Sequence, residues 1–305
     1  MPRKLSAYST VGMIDWRRLV HIVIGATGHV GSAVAETLLA RGEPVGVITR
    51  DRDHADSWRD TKAEIIEADV NDVPSLRAAF QRGRRAFLLN PPADIKADTD
   101  RVERSTAANI LAALSGSGLE KIVLESTAGA QPGDRIGDLS VLWEFEEGLR
   151  SQGIPAAINR APYYFSNWDG QLDPIRETGK LQTMYPADLP LPMAAPHDLG
   201  KAAADRLLSP TAEVGVRYVE GPDRYSSNDV AQAFAEALGR PVEVVVTPRE
   251  QWEAAYREFG FSEAAADSYA RMTAASLDGG FDSDESPIRG VTTLGEYIRQ
   301  LVAQS

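Results

Sequence analysis

Residues Leu19 to Gly31 read LVHIVIGATGHVG, and the rest of the chain is organised around this stretch. Leu19, Val20, Ile22, Val23 and Ile24 form a short apolar run rich in β-branched residues. That composition suits a strand covered on both faces of a parallel sheet. Gly25, Gly28 and Gly31 follow at a spacing of three, and a helical pattern then sets in through Val30, Ala33, Val34, Thr37 and Leu38. Each glycine has its own physical task. The first lets the chain turn sharply out of the strand, the second lets the backbone approach a pyrophosphate, and the third lets helix and strand pack closely. The helix N-terminus adds unbonded N–H groups and the positive end of its dipole. Set between a buried strand and an amphipathic helix, the loop formed by Gly25, Thr27, Gly28, His29, Val30 and Gly31 predicts dinucleotide binding.

Outward from this corner, Gly42 closes the first helix. Further strands are expected at Pro44 to Thr49, Ala63 to Ala68, Ala86 to Leu89, Lys121 to Glu125 and Ala156 to Arg160, with helices at Val73 to Gln81, Arg101 to Ser115 and Leu139 to Ser151. The alternation calls for βαβ units in an α/β protein with a doubly wound, parallel Rossmann-type sheet. After Pro162 the pattern loosens into a cluster of aromatics and recurring prolines. It resumes with a helix at Asp198 to Leu208, a strand at Val214 to Glu220, a capped helix at Ser227 to Leu238 and a short strand at Val242 to Val246. Three more helices follow, at Glu250 to Phe259, Glu263 to Leu277 and Leu294 to Val302, the last opened by a Thr293–Glu296 capping box. The expected division is a flexible extension at 1–17 (or a folded protein starting at Met13), a dinucleotide-binding domain at 18–162 and a smaller, mainly helical substrate lobe at 163–305. That lobe is non-contiguous and returns about 198–221 to the Rossmann domain.

Composition narrows the function. Of 305 residues, 43% are hydrophobic and 25% charged, as in ordinary globular proteins, and the net charge of −12 disfavours nucleic acid and anionic membranes as partners. There are no cysteines, which removes disulfides and thiolate chemistry. The four histidines (His21, His29, His54 and His197) show no paired spacing, so no metal site is expected. No apolar run reaches the ~18 residues that span a bilayer, and a cytoplasmic location is expected.

Cofactor choice turns on the end of the second strand. A site for NAD usually ends that strand with a carboxylate that accepts the ribose hydroxyls. Here it ends Thr49-Arg50, and a guanidinium matches a 2′-phosphate in charge and fork geometry. NADP(H) is therefore preferred, with NAD(H) possible through the adjacent Asp51.

Six stretches together carry a family resemblance that runs from about Leu19 to Leu301. They are GATGHVG (25–31), ITRD (48–51), EADVND (67–72), LLNPP (88–92), GIPAAINRAPYYFSN (153–167) and GPDRYSSNDVAQAFAEALGRPVEVV (221–245). In combination they resemble the NmrA-like atypical short-chain dehydrogenase/reductases. The resemblance implies NAD(P)(H) lying across the strand ends, with Asp69 and Val70 bracketing the adenine. It implies Asn90, Pro91, Pro92 and Ser126 along the ribose and nicotinamide side, and Pro162 and Tyr163 beside the carboxamide. One departure matters. Many short-chain reductases carry Tyr-x-x-x-Lys in the helix here placed at Leu139 to Ser151, where the lysine lowers the tyrosine pKa for proton transfer. Counting back from Gly153, the family's lysine position falls on or near Leu142; no lysine lies between Lys121 and Lys180, and no tyrosine between Tyr8 and Tyr163.

The expected activity is therefore hydride delivery from NADPH to an acceptor that needs little acid help, such as a quinone-like or polycyclic aromatic molecule. Tyr164, Phe165, Trp168, Tyr269 and Met272 are the expected pocket, and Tyr163, Tyr164, His197 and Ser126 are the candidates for a proton donor. Two alternatives stand beside it: a monooxygenase that tailors aromatic polyketides with NAD(P)H, and a non-catalytic NAD(P)-binding redox sensor acting on a protein partner.

Overall fold

The computed structural model describes residues 20–279 and 284–305. Leu19 and the expected extension at 1–17 lie outside the described residues. In chain order the elements are β1 Val20–Val23, α1 His29–Ala40, β2 Val45–Thr49, α2 Asp56–Arg59, β3 Glu64–Glu67, α3 Val73–Phe80, β4 Gly83–Leu88, α4 Thr99–Leu114, β5 Lys121–Thr127, α5 Asp138–Arg150 and β6 Ala156–Ala161. Then come β7 Tyr163–Tyr164, α6 Leu172–Thr178, β8 Lys180–Thr183, β9 Leu191–Ala194, α7 Pro196–Leu208, β10 Gly215–Glu220, β11 Arg224–Tyr225 and α8 Ser227–Leu238. The last are β12 Glu243–Val246, α9 Trp252–Glu258, α10 Glu263–Gly279, β13 Ile288–Arg289 and α11 Leu294–Gln304.

Eight strands form one parallel sheet in the order β13-β10-β6-β5-β4-β1-β2-β3. Alternation of side chains along each strand gives the sheet two apolar faces. Ile22, Ile48, Ile66, Leu88, Ile122, Leu124 and Ile158 face α3, α4 and α5, where Leu76, Phe80, Ile110 and Phe145 complete the layer. Val23, Val47, Phe87, Val123 and Ala157 face the opposite way, onto Val34 and Leu38 of α1 and Leu199 and Ala203 of α7. This is the doubly wound α/β architecture that the strand–helix rhythm predicts.

The C-terminal portion is largely helical around its own core of Phe165, Trp168, Leu172, Ile175, Leu191, Met193, Phe234, Leu294 and Ile298. It also contains two small sheets, β11-β9-β7 and β12-β8, and it sends β13 to the edge of the main sheet beside β10. The sequence showed none of β7, β8, β9, β11, β13 or α6 as separate elements. Strands of two residues carry too little period to read, and β8, β9 and α6 lie in the proline-broken stretch after Pro162 where the pattern loosens. Among the described residues no helix is long and apolar enough to cross a membrane.

Candidate active site

The carboxyl ends of β1, β4, β5 and β6 share one edge of the sheet, and the residues singled out above lie in the segments that leave it. At the first of these, Gly25 has φ +76° and its carbonyl accepts a hydrogen bond from Gly28 N at 2.9 Å. A Cβ on Gly31 would lie 2.2 Å from that same carbonyl oxygen, so only glycine lets α1 come this close to the turn. Gly28 differs: a Cβ there would meet nothing of the protein nearer than Gly25 O at 3.5 Å. Thr27, Gly28 and His29 are exposed, while Val30 is buried under them. The Trp58 indole holds the loop from behind by donating to Ala26 O at 3.1 Å. The first amides of α1 have no earlier helical carbonyl to bond, so the loop and helix start form an open cradle of donors that suits a pyrophosphate.

At the end of β2 the exposed Arg50 guanidinium has no hydrogen bond or ion pair among the described residues. Asp51 is turned elsewhere: its Oδ1 accepts from Asp53 N at 2.9 Å and caps the short 3-10 turn at Arg52–Ala55. After β3, Asp69 and Val70 are half-buried, and the Asp69 carboxylate accepts from Asn71 N at 2.8 Å. The capping of α3 falls to Asp72, which accepts from Ser75 N. After β4, Asn90 Nδ2 donates to Glu103 O at 3.2 Å, and its Oδ1 is buried without a hydrogen-bond partner. An orphaned acceptor at this edge fits a polar ligand group. Pro91 is half-buried beside it and Pro92 is exposed.

The proton-donor candidates are not brought together. The Ser126 hydroxyl donates to Glu146 Oε1 at 2.6 Å. That buried carboxylate also accepts from Arg160 Nε and Nη2, both at 2.9 Å, and from Arg150 Nη2 at 3.0 Å. Ser126 is thus tied into a structural ion-pair network. His197 is exposed on α7 and lines no cavity described here. Tyr163 and Tyr164 both have pKa values raised by burial, Tyr164 further by the nearby Glu125 and Asp138 charges. A tyrosine tuned for proton transfer is shifted the other way.

A cavity of about 420 Å³ opens just past the end of β6, between the Tyr163–Gln171 segment and helices α9 and α10. Tyr163, Trp168, Tyr185, Tyr256, Phe261, Tyr269 and Met272 line it. Tyr163 packs on Trp168 with ring centres 5.5 Å apart and edge-on to Tyr185 at 5.7 Å. Across from them, Phe261 and Tyr269 meet edge-on at 4.9 Å. Of the five expected pocket residues, Trp168, Tyr269 and Met272 reach this wall. Phe165 does not: it is fully buried between Tyr225 and Tyr297 in the lobe core. Tyr164 packs towards the α7 side of the sheet instead of lining the cavity.

Sequence reasoning missed Asp138, which lines the same cavity. It opens α5 and stands four residues before Leu142, so completing the count back from Gly153 puts a carboxyl where the family's tyrosine falls. Burial and the Asp100 charge raise its pKa, and its own charge helps raise Glu103 to about 7. Among the described residues no group of three or more His, Asp or Glu is arranged to hold a metal ion.

A curated relative, the nitrogen metabolite regulation-like protein bik4 of Gibberella fujikuroi, is 29% identical over 256 residues, 78% of this chain and 72% of the relative. The triphenylmethane reductase of a Citrobacter species, solved with NADP(H), is 23% identical and superposes with a TM-score of 0.76 over 92% of this chain and 99% of that one. The Escherichia coli NADPH-dependent quinone oxidoreductase QOR2, solved with NADPH, is 22% identical with a TM-score of 0.74 over 92% and 99% of the two chains. The model of the NmrA-like family matches residues 20–298, nearly the whole sequence, and the chain belongs to that family.

Proposed function

We propose that the protein is an NADPH-dependent oxidoreductase that reduces a planar, quinone-like or polycyclic aromatic small molecule. The observation that carries this reading is one sheet edge bearing both an open amide cradle and an aromatic-walled cavity. At about 420 Å³ the cavity is of the size that encloses a small organic ligand. On this reading Thr27, His29 and Gly31 bind the pyrophosphate through backbone donors, Gly28, whose own amide is bonded to Gly25 O, lets the backbone come close to it, and Val30 packs the start of the helix. Arg50 takes the 2′-phosphate, since Asp51 is occupied with its own turn. Asp69 and Val70 border the adenine, Asn90, Pro91 and Pro92 the ribose, and Pro162 and Tyr163 the nicotinamide. The segment through Pro162, with about 198–221, forms the cofactor domain, and the remainder shapes the substrate pocket.

The dihydronicotinamide, when bound, supplies the hydride. The chain's own part is to hold a flat acceptor between Tyr163 and Trp168 on one wall and Tyr269 and Met272 on the other. Aromatic faces exclude water there, and their edges orient the ring by quadrupole interactions. The similarity to a quinone oxidoreductase and a triphenylmethane reductase supports an acceptor of this shape.

NADPH oxidation followed with a panel of quinones and triarylmethane dyes, with and without oxygen, tests the proposal. The expected result is acceptor-dependent, oxygen-independent turnover. Tight NADPH binding with no acceptor reduced would replace it with the sensor reading, and an oxygen-dependent hydroxylated product with the monooxygenase reading.

A further inference from the structure

The cavity holds one acidic side chain, Asp138. It sits half-buried in the first turn of α5, and its carboxyl has no hydrogen bond or ion pair among the described residues. Its neighbours are almost all acidic or neutral. Asp100 and Glu103 approach it from α4, Tyr269 from α10 and Tyr164 from β7. On α4, Arg104 is engaged by Asp100 through Nε at 2.9 Å and by Glu144. Among the described residues no cation lines the cavity or offsets the Asp138 shift. A carboxyl in that setting has its pKa raised, because burial strips its hydration and ionising it adds a charge beside Asp100. Trp168, on the same cavity wall, keeps a buried indole N–H without a partner. An oxygen-bearing ligand suits both groups, since each presents an N–H or O–H with nothing of the protein to accept it.

We propose that Asp138 is the proton donor of this site and that its substrates are conjugated carbonyl compounds whose oxygen must be protonated as the ring is reduced. The proposal rests on the oxidoreductase reading above. In the step, a hydride from the dihydronicotinamide carries two electrons to the acceptor and forms one new bond to hydrogen. The carbonyl π bond breaks, the electron pair moves onto its oxygen, and the Asp138 carboxyl hydrogen passes to that oxygen. NADPH is oxidised, the acceptor is reduced by two electrons, and the resulting carboxylate recovers its proton from water. The carboxyl takes the task of the missing tyrosine without needing a lysine, because a carboxylic acid carries its own transferable proton and burial raises its pKa from the ordinary range.

The test compares two acceptors in the full-length protein and in Asp138→Asn. Menadione needs a proton, whereas a cationic triarylmethane dye becomes neutral on accepting hydride and needs none. The expected result is a fall in menadione turnover of about 10²- to 10⁴-fold, the scale of a general acid, with dye reduction kept within about threefold. Wild-type menadione turnover should decline as pH rises through the raised Asp138 pKa, and the variant should lose that limb. Retained dye reduction also shows that the variant folds and binds NADPH. Equal losses on both acceptors, or none on menadione, would overturn the proposal. If wild type reduces neither acceptor, the oxidoreductase reading fails by itself. Asp138 is then judged in cofactor-free protein from the carbon-13 carboxyl signal that disappears in Asp138→Asn. Titration above the ordinary carboxylate range is expected, and titration within that range overturns the proposal.

Discussion

Gly28 and Gly31, three residues apart in the same loop, should fail in opposite ways when given a side chain. At Gly31 a Cβ would sit 2.2 Å from Gly25 O, 2.4 Å from Gly25 C and 2.9 Å from Ala26 N, all backbone atoms. The loop or the helix must move by about an ångström. Overpacking of that kind costs about 3 kcal/mol, which at roughly 2–4 °C per kcal/mol lowers Tm by about 6–12 °C in Gly31→Ala. Gly28 has φ −105° and ψ 175°, an extended conformation open to any residue, and only Gly25 O lies near its missing Cβ. Gly28→Val gives up about 1 kcal/mol as a poorer N-cap. It regains about 0.4–1 kcal/mol from a less flexible unfolded chain. Its Tm should therefore stay within a few degrees of wild type. The valine methyl groups would instead occupy the space where the backbone meets the pyrophosphate, so binding of NADPH and NADH should both be abolished. Calorimetric melting paired with NADPH titration separates the two effects. Normal NADPH affinity in Gly28→Val would show that the phosphates do not lie at this loop. An unchanged Tm in Gly31→Ala would refute the rigid close approach.

Three further outcomes follow from named groups. Arg50→Ala should weaken NADPH by about 1.5–3 kcal/mol, the scale of a charged hydrogen bond, and leave NADH nearly unchanged; equal losses in cofactor titrations would remove Arg50 from the 2′-phosphate. Tyr163→Phe, Tyr164→Phe and His197→Ala should each keep quinone turnover within about tenfold, or ~1.4 kcal/mol of barrier, and a hundredfold fall at any one would make it the acid in place of Asp138. The third concerns Glu125, which is buried and has its carboxyl raised to about 8 by that burial. Its folded pKa exceeds the unfolded value of 4.5, so the native state binds the extra proton between those limits. Stability conferred by this group is complete below about pH 4.5 and is lost as pH rises towards 8. Glu125→Gln should flatten that decline and raise stability at pH 7 by on the order of 1–3 kcal/mol, read from Tm across pH 5 to 8; an unchanged slope would count against it.

The main sheet was legible because its signals are local. A β-branched run, a glycine turn and an amphipathic helix each state their own geometry within a dozen residues, and β1 to α1 forms as Ile22 to Leu38 predicts. Arg50 was legible for the same reason: its place follows from the end of one strand. The cavity was not, because its walls run from Asp138 at the start of α5, through β7, to α9 and Thr273 of α10, segments far apart in the chain whose meeting depends on packing. Phe165 and Trp168 show the limit most plainly. Both are aromatic and three positions apart, yet Phe165 is enclosed by Tyr225 and Tyr297 while Trp168 reaches the cavity wall. Composition cannot separate them, since both bury apolar surface and differ only in what lies opposite. Asp138 carries the same lesson for charge. As a letter in the sequence it is an ordinary first-turn carboxylate favoured by the helix dipole. Only the tertiary structure sets it near Asp100 in a cavity lined by no cation, where lost hydration and then Coulomb repulsion raise its pKa.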